Sequence, residues 1–261
     1  MAEKITYDQV FDLSKVPQNT ETGIAIKRFF EWFQDATLNI PSIDANTGER
    51  KETTTGQVIL RDILTKRTNG VESFRKLSEE IEKSRPDLKE HIAKVAPYIT
   101  VRCPVILFDK DADFTKVQNT ANTSTIPSFQ NFPAAVSIND QYVKRGYYKG
   151  VDGKDHKVAV EGILGNELFH VLTASTDENL SIQMESAVLE ALGGVQRSEE
   201  VGEGVKISKT PTGVSSLLAD KAKIEAKKEE KTRDVPDGTN VSPPRIIQPQ
   251  EQKEKSSPSR P

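Results

Sequence analysis

Gly165-Asn166-Glu167-Leu168-Phe169-His170-Val171-Leu172 is the stretch whose reading decides the fold. Its apolar residues, with Val158, Ile163 and Leu164 before them, recur at three- and four-residue steps, which predicts a helix over residues 155–173. In that helix Asn166 and His170 are four residues apart and share a face, and Glu167 sits one turn before His170. Gly162 and Gly165 each weaken the helix by roughly 1 kcal/mol relative to Ala, a cost that is tolerated when another backbone packs close. Ala174-Ser175-Thr176-Asp177 breaks the pattern. Asp177 is placed to cap a second helix over residues 178–192, and Gly193-Gly194 ends it.

Upstream of this pair, residues 99–108 are rich in β-branched and apolar side chains and read as a strand with a buried middle, as do residues 134–138. Residues 118–130 are Asn-, Thr- and Ser-rich without a period and read as a long loop. Residues 145–154, punctuated by Gly146, Gly150 and Gly153, form a hairpin or loop leading into the central helix. Nearer the N-terminus, residues 22–38 carry Ile24, Ile26, Phe29, Phe30 and Phe33 as the stripe of an amphipathic helix, with Trp32 beside it. Residues 40–54 read as a loop. A helix over 56–66 is expected to stop at Asn69-Gly70, a third runs over 71–84, and Pro86 opens a fourth. Downstream, opposite charges at helical spacing such as Lys221 with Glu225 predict an exposed helix within 215–233, and the Pro-rich end is expected to be disordered.

The expected class is therefore α+β and mostly helical. Four segments follow from it: a helical N-terminal part (1–97), a core of strands and the helix pair (98–196), a charged linker or helix (197–234) and a disordered tail (235–261).

Composition excludes several functions. Lys and Arg number 36 against 39 Asp and Glu, so no basic surplus points to nucleic acid. No run of about 18 apolar residues is present, so no membrane span is expected. The first residues lack an apolar signal-peptide core, which suits a cytoplasmic protein or one secreted into a host cell without a cleaved signal. Cys103 is the single cysteine, so no intramolecular disulfide forms; its apolar flanks make it a buried strand residue rather than a nucleophile. The alternation Asp109, Asp111, Asp113 lacks the glycine and glutamate of a calcium loop.

By spacing alone, Glu167 and His170 can meet a metal or a substrate, and a surface glutamate beside a satisfied core histidine gives the same pattern. Context adds to it. A strand, a long loop and a strand precede Gly162-Ile163-Leu164-Gly165-Asn166-Glu167-Leu168-Phe169-His170, and a helix with Glu185-Ser186-Ala187-Val188-Leu189-Glu190 follows. In this order residues 99–194 resemble the zincin metallopeptidases, in particular the short effector-type zincins that pathogenic bacteria deliver into host cells. Zincins carry H-E-x-x-H, whose two histidines bind zinc while the glutamate acts as general base. The resemblance implies zinc as cofactor, His170 as the second metal histidine, Glu167 as the base, and Glu185 or Glu190 as the third ligand. Glu190, twenty residues after His170, suits the gluzincin type; Glu185, with Ala187-Val188 after it, suits the effector type.

Asn166 stands where the first histidine belongs. A neutral amide oxygen is a poor zinc donor and the amide nitrogen has no free lone pair, so zinc is expected to bind weakly at best. Three readings stay open. The first is a degenerate zincin-like pseudopeptidase that holds a protein partner in the cleft or on its helical N-terminal part. The second is an active zinc metallopeptidase with a non-standard ligand set, Glu167 its base and His156 or a carboxylate completing it. In the third, a helical adaptor, the motif is chance. The first is the expectation, and under it Asn166→His should restore a ligand set.

Overall fold

Aromatic packing assembles the N-terminal third. Short helix α1 (Tyr7–Val10) runs directly into strand β1 (Phe11–Lys15), and Thr20 then caps helix α2 (Glu21–Phe33) by accepting a hydrogen bond from Gly23 N at 3.0 Å. The ring of Phe30 lies 4.6 Å from that of Phe11, and Phe29 stacks on Phe33 at 5.5 Å, all four fully buried. Trp32 is partly buried against this cluster, whereas Ile24, expected in the apolar stripe, is exposed. The computed structural model describes residues 3–41, 51–109, 121–126, 129–198 and 205–233.

The helix expected to reach residue 38 ends at Phe33, because the chain turns into strand β2 (Thr37–Pro41), which pairs antiparallel with β3 (Lys51–Thr55). The loop expected over 40–54 is therefore partly a two-stranded ladder, and its residues 42–50 lie outside the described ones. Helix α3 (Gly56–Ser84) then passes without a break through Asn69-Gly70, where a helix stop was expected. A Cβ on Gly70 would lie 2.6 Å from Phe132 Cδ2, so this glycine admits an aromatic ring and does not end the helix. Pro86–Leu88 is a 3₁₀ turn leading into α4 (Lys89–Val95), followed by a second such turn at Ala96–Tyr98.

Strand β4 (Cys103–Phe108) starts later than residue 99, β5 (Ala121–Ile126) lies inside the expected loop, and β6 (Phe129–Asn139) is longer than the expected 134–138. The four-stranded sheet has the order β1-β4-β6-β5, with β4 parallel to both β1 and β6, and β5 antiparallel at the edge. Arg67 of α3, 2% exposed, ties helix to sheet: its guanidinium donates to the carbonyls of Thr100, Val101, Arg102 and Pro133 at 2.6–3.3 Å and lies 4.5 Å over the Phe132 ring. Cys103 beside it is fully buried, and burial pushes its thiol up to about 11, which fits the expected inert strand residue.

After β6 come α5 (Asp140–Arg145), β7 (Gly146–Lys149) and β8 (Asp155–Lys157). Strand β9 (Lys206–Ile207) completes a third sheet, ordered β8-β7-β9. The central helix α6 spans Val160–Thr173, so residues 155–157, expected in its first turn, belong to β8. Helix α7 (Glu178–Ala191) is capped by Asp177, which accepts from Asn179 N and Leu180 N, and Gly193 at φ 75° terminates it. Helix α8 (Leu217–Arg233) falls within the segment expected to be an exposed helix.

Helix α6 contacts α2, α3, β5, β6 and α7, and it is buried nearly all round. The class is α+β, mostly helical. Residues Met1–Lys223 form one compact unit that joins the helical N-terminal part to the strand-bearing core through β1; Ile224–Pro261 form a second. The expected disordered tail, 235–261, lies outside the described residues. Among the described residues no helix is long and apolar enough to cross a membrane.

Candidate functional site

Two glycines decide how closely the helix pair approaches. A Cβ on Gly165 of α6 would lie 2.8 Å from Val188 Cγ2 and 3.3 Å from the Met184 carbonyl oxygen, and one on Gly162 would lie 3.4 Å from Glu185 Cγ. The close approach anticipated for them is thus made by α7, and it turns Glu185 toward α6. Between Val160 and Val171 every residue is buried except Asn166 and His170, which are half-buried. The helix therefore opens to solvent along one row, the row that carries the motif.

His170 sits at the C-terminal end of that row. Its Nδ1 is 2.7 Å from the Ser175 carbonyl oxygen, and since a carbonyl only accepts, Nδ1 carries the proton and Nε2 keeps a lone pair in the neutral ring. The turn that brings Ser175 back is made by Ala174 at φ 55°, whose N–H bonds to the His170 carbonyl. A left-handed non-glycine residue costs roughly 1–2 kcal/mol. Metal-binding histidines are held in this way by their second nitrogen.

Asn166 points into protein partners. Its Nδ2 donates to Ser181 Oγ at 3.0 Å, and its amide helps to favour the charged form of Glu185. Glu185, 7% exposed at its side chain, is 3.2 Å from Arg197 Nη1. Burial pushes its carboxyl above the ordinary range, and the Arg197 charge and the hydrogen bonds from Arg197 and Asn166 pull the other way. Arg197 arrives on an extended segment after α7: it bridges Gly150, with Val151 N donating to the Gln196 carbonyl at 3.0 Å and Ser198 N to the Lys149 carbonyl at 2.8 Å. Tyr148 closes this corner. Its hydroxyl donates to the Val195 carbonyl at 2.6 Å, and burial, with the Glu185 and Asp152 charges, pushes the phenol up to about 12.

The other sequence candidates are distributed differently. Glu167 is buried, 5% exposed. Glu190 is exposed and accepts from Gln196 Nε2 at 2.9 Å, so of the two acidic candidates only Glu185 meets α6. His156 belongs to β8 rather than to the start of α6; its Nε2 is 2.9 Å from Asp152 Oδ1 and its ring 5.7 Å from that of Tyr148. Among the described residues no group of three or more His, Cys, Asp and Glu is arranged to hold a metal ion.

The implied donor set does not suit zinc. Asn166 uses its amide nitrogen as a donor, Glu185 is already engaged by a guanidinium, and His170 alone keeps a ligand's orientation. Ser181, Arg197 and Tyr148 had no local signal in the sequence, and the break at Ala174 was legible there but its left-handed backbone was not. A further acidic residue, Glu161, is fully buried and accepts from Ser216 Oγ at 2.6 Å and from Leu217 N and Leu218 N at 3.2 Å, capping α8 from within α6. The chain matches no family model, no curated protein and no solved structure.

Proposed function

We propose that this chain is a degenerate zincin-like protein, a pseudopeptidase of the effector type, that binds a protein partner through the cleft along Asn166 and His170. The observation that carries the reading is the split state of that row. His170 keeps the Nδ1-to-carbonyl bond of a metal-site histidine, at the cost of a left-handed Ala174, while one turn earlier Asn166 donates its amide to Ser181 Oγ. A helix pair that met only by chance has no reason to hold an imidazole in this way, and a working peptidase has no use for an amide where its first histidine belongs. This supports the pseudopeptidase over both the active enzyme and the adaptor with a chance motif. A surface row of one oriented imidazole and one amide offers hydrogen bonds to an extended peptide but no metal-activated water to hydrolyse it.

Zinc content and peptidase activity of the full chain test the reading. The protein purified in the presence of zinc should carry far less than one equivalent, and it should leave peptide libraries uncleaved with or without Glu167→Gln. Stoichiometric zinc together with cleavage lost on Glu167→Gln would make it an enzyme. The binding half is tested by filling the cleft: a protein captured by the wild type should be lost with Asn166→Trp and retained with Leu77→Glu on the exposed side of α3.

A further inference from the structure

The pairing of Arg197 with Glu185 is a second departure from a metal site, independent of Asn166. The two side chains are 18% and 7% exposed, and Nη1 lies 3.2 Å from Oε2. A carboxylate so shielded needs a counter-charge nearby, since an unpaired buried charge costs several kcal/mol. We infer that Arg197 supplies, from the chain itself, the positive charge that the zincin resemblance assigns to a metal ion, so that Glu185 is closed to cations whatever residue stands at position 166. The inference rests on the zincin-like reading of α6 and α7.

Three properties favour arginine as the permanent occupant. Its guanidinium does not lose its proton in a protein, so it cannot step aside as a neutral base the way a buried lysine can. Its backbone is held on both sides, by Val151 N on the Gln196 carbonyl and by Ser198 N on the Lys149 carbonyl, so the side chain enters from a bridged stretch of backbone. One carboxylate, finally, cannot neutralise two cations in a poorly solvated corner: a zinc ion brought to Glu185 would meet the guanidinium at short range, where repulsion is weakly screened. Asn166, whose amide donates to Ser181 Oγ, adds no charge to this arrangement. The Asn166→His change expected from sequence to restore a zinc site therefore removes only one of two obstacles.

Zinc alone, titrated into full-length variants against a chromophoric chelator, tests the inference. Asn166→His should bind within about tenfold of the wild type, whereas Asn166→His with Arg197→Gln should bind at least about 100-fold tighter, and adding Glu185→Gln should abolish the gain. Tight binding by Asn166→His by itself overturns the inference, as does a folded Asn166→His/Arg197→Gln variant that gains nothing. Urea unfolding of Arg197→Gln, Glu185→Gln and the double variant gives a zinc-independent check: the double should be less destabilised than the sum of the singles, and additive losses count against the pair. The two readings fail separately. Zinc taken up tightly by Asn166→His alone sinks the role of Arg197 and leaves the pseudopeptidase standing, whereas tight zinc binding by the wild type sinks the pseudopeptidase.

Discussion

His170 donates its Nδ1 proton to the carbonyl of Ser175, 2.7 Å away, across Ala174, the one non-glycine residue at positive φ among the described residues. The bond fixes the tautomer, and the strained turn fixes the bond. A β-branched side chain tolerates that backbone poorly, so Ala174→Val should lose roughly 1–2 kcal/mol of stability, while Ala174→Gly should be close to neutral, relief of strain offsetting the greater entropy of the unfolded chain. The imidazole nitrogen resonances of His170 provide the specific readout. In the neutral form of the ring, wild type should carry the proton at Nδ1, and Ala174→Val should shift toward the Nε2-protonated tautomer. A wild-type ring protonated at Nε2 would remove the argument that this histidine is held as a metal ligand is.

The glycines of α6 should separate cleanly. A methyl group at position 165 meets Val188 Cγ2 at 2.8 Å, Val188 Cβ at 3.1 Å and the Met184 carbonyl oxygen at 3.3 Å, part of it unyielding backbone. At position 162 the contacts are side-chain atoms of Leu189 and Glu185 at 3.2–3.4 Å, which give more easily. Both substitutions gain about 1 kcal/mol of helix propensity. Gly165→Ala should still lose about 1–2 kcal/mol because overpacking wins, whereas Gly162→Ala should fall within about 0.5 kcal/mol of wild type. Equal effects at the two positions would mean that α7 does not seat against α6 at Gly165.

What the sequence made legible is what local chemistry fixes. The helix pair was readable because Asp177 caps, Gly193 stops and the apolar period runs between them, and Cys103 because it lies in an apolar run. Asn69-Gly70 misled because its role is tertiary: the pair carries the signature of a helix stop, yet Gly70 leaves room for Phe132, sixty-two positions further on. Strand β5 is polar and without alternation; backbone pairing with β6 holds it, which composition does not encode. In the site, the row of Asn166 and His170 follows from helical spacing. Arg197 does not, because its partner Glu185 is reached only after the chain pairs with Gly150, a contact no spacing rule reports.

Arg67 offers a test of the core rather than of the site. Its guanidinium is buried with no carboxylate partner among the described residues and serves four backbone carbonyls, so burial lowers its pKa and the carbonyls depend on it. Arg67→Met removes a costly buried charge but leaves those carbonyls short of a donor, at roughly 1–3 kcal/mol each where water cannot replace it. The second effect is the larger, and a net loss of about 3 kcal/mol or more is expected in urea unfolding, with the denaturant slope unchanged. Arg67→Lys should recover only part of it, because an ammonium on a flexible stem cannot span the same fork of acceptors. A loss below about 1 kcal/mol for Arg67→Met would show that water satisfies the carbonyls.

The pH dependence of Glu185 has a defined sign. Its carboxyl is raised above the ordinary value of 4.5, chiefly by burial, so the folded chain holds that proton more tightly than the unfolded chain does. Between 4.5 and the folded value the native state binds more protons, and stability contributed at this position falls as pH rises; below 4.5 the contribution is complete, and above the folded value it has gone. Arg197 and Asn166 oppose the shift without reversing it. Glu185→Gln removes the titration and leaves the guanidinium charged throughout, so the difference in unfolding free energy between wild type and Glu185→Gln isolates the carboxyl. That difference should move against the wild type as pH climbs from about 4 through the window above 4.5, and become flat beyond it. Movement in favour of the wild type over the same range would mean that attraction to Arg197 outweighs burial, and that the pair behaves as a strong ion pair rather than a carboxylate held in a poorly solvated corner.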